Sequence, residues 1–196
     1  LLKKANVTSD VLKSLIKKEI FIIEEQIVDR ISDKAEVEVS NYCLSVEQSN
    51  TLINIKNQLE EKEVVLLQGI TSSGKTLIYI DLIKEQLAKG KKSLGNIAVY
   101  HSKYNNAERV EIWKKKKKNE TKIVLGARSS VFLPFQKLGL IIVDEEHDAS
   151  YKQNEPAPRY QCRDAAIYLA TLNHAKVVLG SATPSIESYT NAQTGK

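Results

Sequence analysis

The segment Gly69-Ile-Thr71-Ser72-Ser73-Gly74-Lys75-Thr76 has the composition and spacing of a loop built to hold phosphate. Glycines at its two ends let the backbone curl, so that successive N–H groups and the N-terminus of a following helix converge on one anion. Lys75 is placed to reach the outer phosphates and the Thr76 hydroxyl to ligate Mg2+. Farther along, Leu140-Ile-Ile-Val ends in Asp144 and Glu145, two carboxylates delivered by an apolar strand. Asp144 suits the Mg2+ shell, and Glu145 suits the orientation or deprotonation of an attacking water. Gly180-Ser181-Ala182-Thr183 sets two hydroxyls after a later strand, although Ser and Thr are also ordinary turn residues. Gln48 could hydrogen-bond an adenine; taken alone it reads as a surface glutamine.

The stretch from Asp148 to Arg163 interleaves Tyr151 and Tyr160 with Lys152, Arg159 and Arg163. Rings between cations suit single-stranded DNA, with bases on the rings and phosphates on the cations. A proline-stiffened surface loop packed on its own lobe fits the composition equally. Its position just after Asp144 and Glu145 favours a coupling element that is mobile without DNA.

These residues need a frame. Residues 63–68 (EVVLLQ) read as a buried strand feeding the loop, and 76–89 as a helix with Ile80, Ile83 and Leu87 inward. Residues 51–60 suit a helix, 97–101 a strand and 105–115 a helix. KIVLG, LGLIIVDEE and KVVLGSATP give three further strands. Near-continuous apolar strands alternating with helices predict an α/β fold with a parallel sheet covered on both faces. Ligands bind such sheets at the carboxyl ends of the strands. Residues 1–40 read as a separate unit: a helix capped by Thr8 or Ser9, a strand over Phe21–Val28 and a polar linker over Ser32–Ser40. That pattern fits a winged helix and any other small α+β appendage.

Composition narrows the class. A chain of 196 residues with 42% hydrophobic and 27% charged residues can bury a core. No apolar run reaches the roughly eighteen residues of a membrane span. Cys43 and Cys162 stand far apart with no Cys/His cluster, which excludes a disulfide scaffold, argues against a metal-ligand site and suggests reduced cytosolic thiols. Methionine is absent, so the sequence is expected not to begin at a natural start. The net charge of +5 is uneven: residues 89–122 hold eleven basic residues against three acidic ones. That excess fits a polyanion, while Lys114 to Lys118 on its own reads as a solvated run at a helix end.

GITSSGKT, DEEH and SAT in this order resemble the first motor lobe of a superfamily 2 helicase with a DEAH-type box. The run from Gly126 to Ala166, with AVYHSKYNNAERVEIW and VVLGSATPSIES, is similar to the bacterial primosomal replication-restart helicases. The resemblance covers residues 44–190 and, more loosely, 1–40. It implies a RecA-like P-loop NTPase lobe over 41–196, preceded by a small winged-helix-like region over 1–40. It assigns ATP to Gln48, Gly69, Thr71, Ser72, Ser73, Gly74, Lys75 and Thr76, and Mg2+ to Thr76 and Asp144. Lys75, Asp144, Glu145 and the box histidine His147 become catalytic, and Ser181 and Thr183 the coupling motif. The implied activity is ATP-dependent 3′-to-5′ DNA unwinding at stalled forks, in the cytoplasm at the nucleoid. The implied partners are single-stranded and forked DNA, single-stranded DNA-binding protein and other primosome proteins, with no membrane. Zinc is expected only outside this sequence, as are an N-terminal DNA-binding domain and the second motor lobe with its arginines. One departure lies inside: KGKKSLGN stands where the family carries another strand and helix, so residues are expected to be missing near 92–97. The alternatives are another superfamily 2 DNA translocase, or a nucleotide-responsive module without turnover.

Overall fold

The computed structural model describes residues 9–18, 20, 42–89, 96–100 and 104–195. The chain divides into two compact units, residues 1–32 and 33–196. In the first, helix α1 (Ser9–Lys17) carries Asp10 in its first turn and Lys17 in its last, the arrangement a helix dipole favours. The strand expected over Phe21–Val28 and the linker over Ser32–Ser40 lie outside the described residues.

The second unit runs α2 (Val46–Glu61), β1 (Val64–Gln68), α3 (Lys75–Lys89), β2 (Asn96–Tyr100), α4 (Asn106–Lys117) and β3 (Thr121–Gly126). A 3-10 turn (Arg128–Phe132), β4 (Leu140–Val143) and a second 3-10 turn (Ala149–Tyr151) follow. The unit ends with β5 (Lys152–Gln153), β6 (Tyr160–Gln161), α5 (Cys162–Asn173), β7 (Lys176–Ser181) and α6 (Ile186–Thr194). Strands β1, β7 and β4 form a parallel sheet with β7 in the middle. The register runs from Val64↔Val177 to Gln68↔Ser181 on one side and from Leu140↔Lys176 to Val143↔Leu179 on the other. Successive strand side chains point to opposite faces. Val178 therefore joins Leu52, Ile55, Ile78 and Leu82 beneath α2 and α3, while Val177 and Leu179 join Val143, Ala166 and Ala170 beneath α5.

Helix α2 starts at Val46 rather than at residue 51 because Ser45 and Gln48 form a capping box. Helix α3 buries Ile78, Tyr79 and Leu82, whereas Ile80, Ile83 and Leu87 are only half-buried. The reason is rotational. Lys75 must point back into the loop, and positions three, four and seven residues on share its face.

The single parallel sheet expected from the sequence is found in two pieces. β2 and β3 pair in parallel with each other, and neither pairs with β4. Among the described residues, the second edge of β4 has no strand partner. A further parallel strand beside β4 would need its own crossover of about a dozen residues or more, and only six residues, 90–95, separate α3 from β2. His101, expected in β2, lies outside the described residues. No described helix is long and apolar enough to cross a membrane.

Candidate functional site

The phosphate-type loop sits between β1 and α3, the strand–loop–helix frame its motif requires. Ser72 and Gly74 adopt left-handed backbone, with φ of 63° and 82°. Gly74 also makes room: a Cβ there would stand 2.1 Å from Gln48 Nε2. Gln48 donates to Ser73 O (3.0 Å), and its Oε1 accepts from Ser45 N (2.9 Å). The glutamine expected to read adenine thus ties α2 to the loop in this structure. Lys75 is buried, its Nζ donating to Gly69 O (2.9 Å) and Ile70 O (3.3 Å) and standing 3.5 Å from Glu145 Oε1. Thr71, Ser72 and Thr76 are exposed, and Ser73 is half-buried.

The end of β7 is a ledge shared by the loop and the acidic turn. Gly69 N donates to Ser181 O and Glu146 N to Gly180 O, both at 3.0 Å. Glu145 has a φ of 49°, a left-handed conformation that costs an L-residue roughly 1–2 kcal/mol. The turn sends three consecutive carboxylates different ways. Asp144 Oδ1 accepts from Tyr79 Oη (2.9 Å), and Asp144 O accepts from Tyr151 Oη (2.7 Å). Burial, then the bond to Asp144, raises the Tyr79 pKa far above its ordinary value; burial pushes Tyr151 up to about 12. Both hydroxyls are therefore donors near neutral pH. Glu145 faces Lys75, with Oε2 3.7 Å from His147 Nδ1. His147 Nδ1 lies 2.7 Å from Ser181 Oγ and Nε2 3.3 Å from Thr183 Oγ1, while Thr183 N donates to Ser181 Oγ (3.1 Å). The expected coupling residues thus form one polar chain from the carboxylates to the end of β7.

Glu146, the third carboxylate, was not singled out from the sequence and has no solvent exposure. It accepts from Ser185 N (2.7 Å), Ser185 Oγ (3.1 Å), Ser188 Oγ (2.9 Å) and Arg163 Nη1 (3.0 Å). Burial pushes its pKa up, but these donors together hold it below the ordinary value. Arg163, expected to contact DNA, is instead this carboxylate's cation, because a buried charge must be paired. The pattern Ser185-x-x-Ser188 after Thr183, set against a third acid in the box, was the available signal.

The following loop, expected to be mobile, is anchored. Arg128 Nη1 donates to Ser150 O (3.0 Å) and Lys152 O (2.8 Å), and Gln153 Nε2 to Pro156 O (2.8 Å) and Pro158 O (3.2 Å). Strands β5 and β6 close it as an antiparallel pair. Tyr151 bonds the backbone of Asp144, and Tyr160 packs edge-on against Phe132 at 4.8 Å, so both rings are drawn onto the lobe. Lys152 and Arg159 remain exposed. The lysine run is also partly absorbed: Lys116 is buried and donates to Thr121 O (3.0 Å), and Lys117 lies over the Trp113 ring.

The loop and turn offer oxygen donors, the Thr76 hydroxyl and the Asp144 carboxylate, which suit a hard cation completed by phosphate and water. Among the described residues, no group of three or more His, Cys, Asp and Glu is placed to hold a metal ion unaided. Mg2+ shared with a nucleotide fits that donor set.

Residues 79–192 match the family described as DEAD/DEAH box helicase, a domain that uses a nucleotide and Mg2+. The chain is 39% identical over 220 residues to the replication restart protein PriA of Bacillus subtilis, covering 100% of the chain and 27% of that protein. It is 36% identical over 229 residues to the protein of the same name from Chlamydia trachomatis, covering 100% of the chain and 29% of that protein. With the one from Haemophilus influenzae it shares 42% identity over 154 residues, covering 68% of the chain and 21% of that protein. The chain thus spans less than a third of the length of these curated relatives. The Bacillus alignment covers 220 positions against 196 residues here, so that relative carries at least 24 residues that have no counterpart in this chain. The matched family region takes in the acidic turn, the anchored loop and β7, and covers more than half of the sequence: the chain belongs to the DEAD/DEAH box helicase family.

Proposed function

We propose that this chain is the ATP-binding motor lobe of an ATP-dependent 3′-to-5′ DNA helicase that restarts stalled replication forks and initiates primosome assembly. The observation that carries the reading is the joined polar path: Lys75 to Glu145 at 3.5 Å, Glu145 to His147 at 3.7 Å and His147 to Ser181 at 2.7 Å. It links the phosphate loop to the Ser181 hydroxyl at the end of β7. The relatives are replication restart proteins by name, which supports replication restart as the setting. Lys75 leaves its resting carbonyl partners for the β- and γ-phosphates of ATP. Glu145 orients the attacking water, and its contact with His147 lets a displacement of Thr183 alter that orientation. Bound Mg2+, held by Thr76 and Asp144, supplies neutralisation of the phosphate charge. Gln48 moves from the loop to adenine. Lys152 and Arg159, the exposed cations of the anchored loop, take DNA phosphates. Single-stranded and forked DNA, single-stranded DNA-binding protein and other primosome proteins are the partners, met at the nucleoid in the cytoplasm.

The test is ATP hydrolysis and strand separation by the full-length protein on forked DNA with either tail polarity. Fork-stimulated hydrolysis, with unwinding that requires the 3′ tail, is the expected result. Hydrolysis indifferent to DNA would sink the proposal.

A further inference from the structure

Lys75 and Tyr79 are four residues apart on α3 and share its face. Each meets one carboxylate of the acidic turn: Lys75 faces Glu145, and Tyr79 donates to Asp144 Oδ1 at 2.9 Å. Tyr79 is 6% exposed, so this hydroxyl has been withdrawn from water to meet one acceptor. The path of its ring is opened by Gly180 in β7. A Cβ on Gly180 would stand 1.7 Å from Tyr79 Oη and 2.9 Å from Cζ, with Asp144 Oδ1 at 3.3 Å from the same point. No side chain at position 180 is compatible with the ring where it lies. Meanwhile Tyr151 Oη holds the Asp144 carbonyl at 2.7 Å. Backbone and side chain of one aspartate are thus each fixed by a tyrosine hydroxyl.

We propose that Tyr79 is a positioning residue that sets the affinity of the nucleotide site for its divalent cation by holding the Asp144 carboxylate in one orientation, through the opening that Gly180 leaves in β7. The inference rests on the reading of Asp144 as a metal-shell carboxylate. Engaging Oδ1 fixes the rotation of the group and leaves its second oxygen for the cation. A free carboxylate would lose that rotation on binding, and removal of such an outer partner commonly weakens metal binding about 10- to 100-fold. The same bond could instead act as a plug that the cation must displace, in which case its removal would tighten binding. The sign of the change decides.

The experiment uses the full-length protein, a fluorescent ADP analogue and a Mg2+ titration. In Tyr79→Phe, the Mg2+ concentration at half-maximal enhancement of ADP binding is expected to rise about tenfold. Metal-free ADP affinity, which rests on the phosphate loop, should stay within about twofold of wild type, and kcat should recover at saturating Mg2+. A half-saturation unchanged within about twofold, or one that falls, overturns the proposal. So does an equal loss of metal-free ADP affinity, which would mark a merely structural tyrosine. Should Tyr79→Phe not fold, Gly180→Ala displaces the ring while keeping its hydroxyl and is expected to show the same Mg2+ shift; a folded Gly180→Ala without it overturns the proposal equally. If wild type binds no ADP even with Mg2+, the failure lies with the nucleotide-site reading instead.

Discussion

Strands β7 and β3 are both parallel and both rich in valine and leucine, yet their fates differ. β7 hides Val177 and Val178 completely, whereas β3 leaves Leu125 53% exposed and its partner β2 leaves Val99 45% exposed. The difference is in neighbours. β7 has a strand on each edge and helices on both faces, while among the described residues β2 and β3 pair with each other and meet helix α4 and the 3-10 turn Arg128–Phe132. An apolar run is enough to make a strand; burial needs partners on two edges and two faces. All the chemistry hangs from the well-partnered sheet. The loop leaves β1, the acidic turn leaves β4 and the coupling hydroxyls stand at the end of β7, so three hydrogen-bonded strands of one packed sheet fix their mutual distances.

The largest stability effect should come from the buried carboxylate at this corner. Glu146→Ala takes from the largely buried Arg163 its buried partner, leaving it the exposed Asp164, and leaves Ser185 and Ser188 without their shared acceptor; it should cost about 3–5 kcal/mol in denaturant unfolding of this unit. A loss below about 1 kcal/mol would mean the network is incidental. The lowered pKa of Glu146 adds a sign. Its stabilisation is complete above the ordinary carboxylate value of 4.5 and is lost as pH falls through the lowered one. Wild type should therefore lose stability on acidification more steeply than Glu146→Gln does; parallel acid limbs would contradict that.

Next in size is the paired test of the two sheets. Leu179→Ala, in the packed strand, should cost about 2–5 kcal/mol. Leu125→Ala, in the exposed one, should stay within about 0.5 kcal/mol. Equal costs would show that something not among the described residues covers β3. Hydrogen exchange sharpens the same contrast: amides of β7 should exchange only by global unfolding, and those of β2 by local opening. The smallest stability effect belongs to Lys152→Ala with Arg159→Ala, both exposed. Unfolding should shift by less than about 0.5 kcal/mol, while the DNA-stimulated part of ATP hydrolysis is lost. Undiminished stimulation would leave the loop a structural element.

The parallel frame and the loop were legible because their patterns are local. A glycine-rich spacing and an apolar run with acids at its end need no tertiary knowledge. Tyr79, Glu146 and Arg163 were not legible in the same way. The role of Tyr79 depends on an opening at Gly180, roughly a hundred positions along the chain. Arg163 looked like a DNA contact because its pairing with Glu146 is invisible until α5 and the acidic turn are brought together. The inward face of α3 differs from the apolar pattern of Ile80, Ile83 and Leu87 for a related reason: the loop, through Lys75, sets the helix rotation. The shortness of the stretch between α3 and β2 was legible in KGKKSLGN, and among the described residues β2 pairs with β3 alone.

Under the proposed function, Lys75 and Glu145 face each other across the ATP site of a DNA-unwinding motor. The most direct measurement of this is DNA-stimulated ATP hydrolysis by the full-length protein carrying Lys75→Ala, with DNA binding measured alongside. Hydrolysis is expected to fall at least about 100-fold with DNA binding retained, since the variant removes the loop cation and spares the surface. Hydrolysis above about half the wild-type rate would contradict that function.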